Sequence, residues 1–288
     1  MTAVRAWGAA RASGVRVLDD RDLPEVHAIL DADPVANVFV SARVRAAGLN
    51  PARLGAEMWG YSVRRRLVSL CYAGANLVPA AATPDALRVF ADRARWQGRR
   101  CSSIVGPAEM VGPLWERLEP HWGPARAIRE RQPVMATSRV PDVPSDPGVR
   151  RVRMDERDIL LPASVAMFTE EVGVSPNGGD GGALYRARVT ELIRGGRAFA
   201  RIRDGEVEFK AEIGAITPHA CQIQGVWVPP HLRGRGYAVA GMSAVIAAAL
   251  GAFSPLVTLY VNDFNAPARA TYHHVGMTDV ATFTSVLF

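Results

Sequence analysis

One short segment of the chain combines glycine and arginine in a way that can grip phosphate. Gln224-Gly225-Val226-Trp227-Val228-Pro229 read as a strand running into a turn, and Arg233-Gly234-Arg235-Gly236-Tyr237-Ala238 follow where a helical pattern opens. Gly234 and Gly236 let the backbone turn sharply with no Cβ in the way. The first N–H groups of the helix beginning at Tyr237 have no intrahelical partner, and the helix dipole places partial positive charge there. Such an end suits a diphosphate, and Arg233 and Arg235 can add charge-assisted bonds. A dinucleotide fingerprint would need a third small residue at position 239, which is Val239, so that alternative fails.

A second block is Leu259-Tyr260-Val261-Asn262-Asp263-Phe264-Asn265-Ala266-Pro267-Ala268, continuing through Tyr272, Gly276 and Met277. Asn265 is placed to cap a helix, with Pro267 in the first turn where a missing N–H costs little. His273 and His274 are neighbours, which on a helix point in different directions and cannot form a metal pair. The three cysteines, Cys71, Cys101 and Cys221, are scattered without metal-ligand spacing, so no metal is expected and Cys221 reads as a small buried hydrophobe.

The elements that must position these residues follow from periodicity and turn chemistry. Val140 to Gly148 contains three prolines among small and acidic residues and reads as a linker at 140–148. It separates a domain at 1–139 from one at 149–288. In the second half the order is strand 149–154, a helix from 155 through Phe168, a Gly-rich loop at 175–182 and a helix at 183–194. Strands at 198–203 and 206–217 flank Asp204-Gly205, a turn that needs positive φ. A strand at 220–228, the helix from 237, a strand at 256–261, a helix at 266–275 and a closing strand complete it. The first half repeats this rhythm, with a helix at 108–118 expected to break at Gly112-Pro113. In the first half a strand at Leu77 to Ala81 meets proline within Ala75-Asn76-Leu77-Val78-Pro79-Ala80, but no Gly-x-Gly follows, and the helix opens at Pro84-Asp85-Ala86 instead.

The 288 residues carry a formal net charge of +6, nearly all from arginine, with Lys210 the one lysine. The arginines are spread without a basic tract, which argues against dedicated nucleic-acid binding and fits a polyphosphate ligand. No apolar run is long enough for a bilayer, and the N-terminus makes a poor secretory signal. With sparse cysteines this favours a cytoplasmic protein with no membrane partner. A homodimer is left open.

The two blocks resemble the GCN5-related N-acetyltransferases, whose pyrophosphate loop has Arg or Gln, two residues, Gly, one residue, then Gly or Ala. Arg233, Gly236 and Ala238 occupy those places, and Asn265, Ala268, Tyr272, Gly276 and Met277 match the later landmarks. The resemblance covers about 149–288. It implies an α/β fold of tandem domains, each a mixed, mostly antiparallel sheet flanked by helices, the first a degenerate copy without a working phosphate loop. That first domain would shape the acceptor site or a packing interface. The resemblance also implies acetyl-CoA as co-substrate, no metal, and transfer to a small-molecule or protein amine. Backbone groups of Val226 and Val228 would hold the acyl-pantetheine arm beside Trp227, and Tyr272 would protonate the departing thiolate. Many members carry a base on the fourth strand, where this chain has Gln222 and Gln224. Glu212 on the preceding strand is the substitute, with His219 and His231 weaker. Phe168, Glu170 and Glu171 fall where such proteins line the acceptor pocket, and the acidic pair could draw a cationic amine. Two other readings stand beside this one: a non-catalytic CoA sensor or scaffold, and a tandem aminoacyl transferase using charged tRNA.

Overall fold

A computed structural model describes residues 13–178 and 181–288. The chain divides into two compact units. Unit 1 runs through Val134 and includes Tyr260–Phe264 and Val280–Phe288, and unit 2 comprises Met135–Leu259 and Asn265–Asp279. None of the helices among the described residues is long and apolar enough to cross a membrane.

Unit 1 contains β1 (Ser13–Val17), α1 (Leu23–Asp31), α2 (Val38–Ala47), the short α3 (Pro51–Leu54), β2 (Glu57–Val63), β3 (Arg66–Ala73) and β4 (Asn76–Ala80). Then come α4 (Pro84–Gln97), β5 (Ser103–Pro107), α5 (Ala108–Trp122) and β6 (Ala127–Thr137). β12 (Thr278–Leu287), at the far end of the chain, pairs antiparallel with β5 from Phe283↔Pro107 to Leu287↔Ser103. The antiparallel run β1-β2-β3-β4 meets β5 through a parallel pairing, so the sheet is mixed. One apolar cluster joins Trp59 and Cys71 to Phe90, Leu114 and Leu118 of α4 and α5, while a second joins Val26, Leu30 and Val44 to Met58 and Leu70.

α5 does not break at Gly112-Pro113. It runs unbroken over fifteen residues with Pro113 inside. Pro113 comes early in the helix, where it forfeits one ladder bond. Val111, Leu114, Trp115 and Leu118 bury one continuous face, and that burial outweighs the lost bond.

Unit 2 repeats the order with β7 (Val149–Arg151), α6 (Arg157–Val172), α7 (Ala183–Arg194), β8 (Ala198–Arg203), β9 (Glu206–Ile216), β10 (Cys221–Trp227), α8 (Tyr237–Ala252), β11 (Val257–Tyr260) and α9 (Ala266–His274). The sheet order is β11-β10-β9-β8-β7, antiparallel except for β10 with β11. The β8–β9 hairpin turns through Asp204 and Gly205, both at positive φ. α8 carries no charged residue, and Gly241, Met242, Val245, Ile246 and Ala249 are buried on it. A Cβ at Gly241 would stand 2.7 Å from the Phe209 ring, so glycine permits the close approach of α8 to β9.

The proline-rich stretch before β7 is tied down by specific bonds. Ser243 Oγ donates to the Val143 carbonyl at 2.7 Å, and the Asp146 N–H donates to the Ala240 carbonyl at 3.1 Å. The buried Asp146 carboxylate receives Arg201 Nη1 at 2.6 Å. Arg201 also pairs with Glu208 and lies 5.3 Å from the centre of the Tyr237 ring. The first residue of α8 is thereby held from β8.

Candidate active site

Two departures from a regular ladder open β10. It pairs with β11 only at Cys221↔Val257 and Gln222↔Thr258, and beyond Gln222 the two strands no longer pair with each other. Against β9, Gln224 faces Glu212 and Trp227 faces Lys210, so three steps of β10 span two of β9. This is a bulge, with Gly225 at φ +61 and neither Gly225 nor Val226 in register. A side chain at Gly225 would begin 3.1 Å from Glu212 Cδ, Lys210 Nζ and Met167 Cε. A strand that leaves its neighbours this way exposes backbone groups that a ligand amide can pair with.

β10 then runs through a 3₁₀ turn at Pro230–Leu232 into the loop. Gly234 and Gly236 adopt φ of +76 and +83 and sit exposed, with open space where a Cβ would stand. Gly236 is the N-cap of α8 and no side chain caps the helix. The first ladder bond runs from Ala240 N–H to the Gly236 carbonyl, so the N–H groups of Tyr237, Ala238 and Val239 lie ahead of the ladder.

The two loop arginines differ. Arg233 Nε donates to the Val228 carbonyl at 3.0 Å and Nη2 donates to Glu170 Oε2 at 2.7 Å. Trp227 Nε1 donates to the same Glu170 oxygen at 3.2 Å. Arg233 therefore fastens the loop to the end of α6, and its hydrogen bond lowers the Glu170 carboxyl below its ordinary value. Arg235 is exposed and enters none of the ion pairs among the described residues. Glu170, half exposed, is engaged with Arg233 and Trp227.

Beneath α6 and α7 lies a row of polar side chains on β9 and β10. Gln224 Nε2 donates to Glu212 Oε1 at 2.8 Å, Lys210 Nζ lies 3.6 Å from Glu212 Oε2, and Nζ donates to the Gly225 carbonyl at 3.0 Å. Lys210 is 1 % exposed and Glu212 is buried. Phe168 stacks edge-on against Tyr185 at 5.3 Å, and the Tyr185 hydroxyl donates to the Ser164 carbonyl at 2.8 Å. Tyr272, on α9, is 7 % exposed. Burial raises its phenol well above the ordinary value and Glu171 adds to the shift, so it stays protonated at neutral pH. Glu171 likewise contributes to raising Tyr185, after burial and Glu212. Asn265 caps α9, its side chain accepting from Ala268 N–H at 3.2 Å.

Of the histidines weighed as bases, His231 pairs with Glu206 at 3.1 Å on the surface, and His219 lies in the turn before β10, where its backbone N–H donates to Thr217 Oγ1. His273 and His274 are exposed. Cys221 is fully buried, and burial pushes its thiol up to about 11. No group of three or more His, Cys, Asp or Glu among the described residues is placed to hold a metal ion. A cavity of about 510 Å³ lies within unit 1, between Glu57, Trp59, Gln97, Arg100 and Trp122.

Sequence reasoning did not single out Lys210, Met167 or Tyr185 for the site. Lys210 carried a usable signal: the one lysine of the chain, on a strand face it shares with Glu208 and Glu212 two residues to either side. Gly225 inside a strand is likewise a sign of a bulge.

Two families match the chain by sequence: a domain of unknown function (DUF4081) over residues 56–160, and the Acetyltransferase (GNAT) family over residues 190–277. No curated protein matches at a significant level. Among solved structures, an acetyltransferase of the GNAT family from Colwellia psychrerythraea is 14 % identical, with 96 % of this chain and 99 % of that one covered at a TM-score of 0.56. A GCN5-related N-acetyltransferase from Sphaerobacter thermophilus is 15 % identical, with 95 % and 94 % covered at 0.55. A tandem GNAT protein from the clavulanic acid biosynthesis pathway is 16 % identical, with 96 % and 98 % covered at 0.53. The GNAT family match spans residues 190–277, which hold the opened strand, the loop, α8 and α9, and the fold is shared with GNAT structures over nearly the whole length.

Proposed function

We propose that unit 2 transfers an acyl group, most simply acetyl, from acyl-CoA to a primary amine by direct attack in a ternary complex. The observation that carries this is the opening of β10 away from β11 and its passage, through the Gly234–Gly236 turn, into the uncapped start of α8. The amides of Tyr237, Ala238 and Val239 and the side chain of Arg235 would hold the diphosphate. Val226 would offer its backbone to the pantetheine arm. Val228 would offer its N–H, since Arg233 already occupies its carbonyl.

Glu212 takes a proton from the amine as the carbon–nitrogen bond forms, and Tyr272 gives one to the sulfur as the carbon–sulfur bond breaks. Phe168 and Glu171 border the acceptor. Asn265 serves first as the α9 cap and can touch the cofactor with its free amide nitrogen. A second reading draws on Gln222 and Gln224, which stand where a strand base is common: a CoA-binding protein without turnover.

Titration calorimetry with acetyl-CoA, followed by thiol release across a panel of amines, tests the proposal. Binding with turnover of at least one amine is expected. Binding without turnover of any amine would favour the second reading, and no binding at millimolar acetyl-CoA would overturn both.

A further inference from the structure

Lys210 is the one lysine of the chain, and it is buried on a central strand of unit 2. The arginines that form ion pairs among the described residues all keep at least a fifth of the side chain exposed. Lys210 keeps 1 %. Burying an ammonium is costly unless its protons find partners. Two surround Nζ: the Gly225 carbonyl at 3.0 Å and Glu212 Oε2 at 3.6 Å. A compact point charge with three donors fits this gap, where a planar guanidinium would not.

The carbonyl that Lys210 grips belongs to the bulge. Gly225 has no Cβ, so the peptide joining it to Val226 has little intrinsic preference between its two orientations. The peptide unit is planar and trans, so fixing the Gly225 carbonyl toward Nζ aims the Val226 N–H the opposite way. Neither Gly225 nor Val226 has a register partner on β9, and β11 has already left β10 after Gln222.

We infer that Lys210 is a positioning residue: by holding the Gly225 carbonyl, it presents the Val226 N–H as a fixed donor to the acyl carbonyl oxygen. This rests on the acyl-transfer reading of the site. A donor aimed at the oxygen where charge develops is worth about 10²- to 10³-fold in turnover, provided it is held before reaction. With the peptide reversed, the cleft would meet a carbonyl dipole instead. Lys210 acts through Val226, and Glu212 serves as its counter-ion as well as the proton acceptor.

The test is the infrared carbonyl stretch of acetyl-CoA carrying ¹³C at the thioester carbon, bound to the wild-type protein and to Lys210→Met. Hydrogen bonding lowers this stretch. It should lie below the free-solution value in the wild type and return to it in the variant, with CoA affinity kept and thiol release reduced about 100-fold. Because Lys210→Met leaves Glu212 without its cation, the double variant Lys210→Met/Glu212→Gln provides a neutral background in which the same loss of the shift is expected. An unchanged shift in a folded variant, or no shift in the wild type with acetyl-CoA bound, would overturn the role of Lys210. Absence of wild-type binding would overturn the acyl-transfer reading itself, and this inference with it.

Discussion

Units 1 and 2 build the same strand-turn-helix passage and finish it in opposite ways. In each, a strand pairs in parallel over two residues and then loses its partner: Asn76↔Ser103 and Leu77↔Ile104 in unit 1, Cys221↔Val257 and Gln222↔Thr258 in unit 2. In unit 1 the chain after β4 turns at Ala81, with φ +49, and enters α4 with Thr83 as cap and Pro84 as first residue. Thr83 Oγ1 accepts from Ala86 N–H at 3.3 Å, and buried Ser69 donates to the Ala81 carbonyl at 2.9 Å and accepts from Thr83 N–H at 3.2 Å. Val78 and Ala80 join an apolar core against which Val105 packs. This helix start satisfies itself. In unit 2 two glycines at positive φ replace the cap, and the amides at the head of α8 are left for something else to satisfy. The comparison teaches that a helix N-terminus is left open to an outside anion only where the chain withholds its own cap.

The strongest way to break this comparison is to put a β-branched side chain where the uncapped turn needs glycine. Gly236→Val places Cβ in open space but at φ +83, a conformation valine adopts only with strain of about 1–3 kcal/mol. The turn should relax and misdirect the amides of α8. Calorimetry should show CoA affinity reduced at least about 100-fold, since several charge-assisted bonds are lost together, while the circular dichroism spectrum is kept. Unchanged affinity would remove the loop from the site.

Next in size is Tyr272→Phe. The helix after β5 in unit 1, α5, has no tyrosine, so the proposed acid has no counterpart there. Loss of one general acid costs about 10²-fold in turnover at the low end, and CoA affinity should hold. The pH dependence has a definite sign. Burial, then Glu171, raises the phenol in the folded protein, so the folded state holds this proton more tightly than the unfolded chain. Its contribution to stability is therefore full below the ordinary tyrosine value of about 10 and is lost as pH rises through the higher folded value. Tyr272→Phe should flatten the alkaline fall in stability seen in denaturant melts. An unaltered turnover number would assign the protonation to another group.

Arg235→Ala should have a smaller effect, an increase of about tenfold in the dissociation constant for CoA, equivalent to one exposed charge-assisted bond. The loss should shrink as salt rises. Arg233→Ala distinguishes the two arginines: it releases the Glu170 anchor at the end of α6, so its effect should persist at high salt. Equal salt dependence would mean that both side chains face the phosphates.

The elements that position this site are legible in the sequence wherever glycine or a cap marks the boundary. Asp204-Gly205, Asn265 and Gly236 each fix an end that the structure reproduces. The β2–β3 hairpin is legible from its strands at Tyr61–Ser62 and Leu67–Tyr72 but not from its two-residue turn, Arg64-Arg65, both at positive φ, where no glycine or asparagine announces it. Long apolar strands on either side hold that turn against its local preference. The partner of β12 is also invisible locally, since pairing with β5 joins residues far apart in the chain. Of the candidate site, the Gly234–Gly236 turn and the place of Tyr272 on α9 could be read because spacing carries them. The grip of Lys210 on Gly225 could not, because a bulge depends on the register of two strands and no single segment encodes it.

The smallest effect is expected where the comparison predicts no functional consequence at all. Thr83→Ala removes the side chain that closes the head of α4 and leaves the Ala86 N–H without its acceptor. The two Ser69 bonds to this turn run to the Ala81 carbonyl and the backbone N–H of residue 83, and the substitution keeps both. Replacing such a cap costs about 1 kcal/mol, so urea unfolding should shift its midpoint downward by a correspondingly small step. CoA affinity should remain that of the wild type, because the amides freed in unit 1 open onto a β4 strand already packed in its core. A loss of CoA affinity approaching that of Gly236→Val would mean that the capped helix also contributes to ligand binding, and the distinction between a closed and an open helix start would fail. A loss of stability alone would confine Thr83 to the fold and leave the anion site to the uncapped helix.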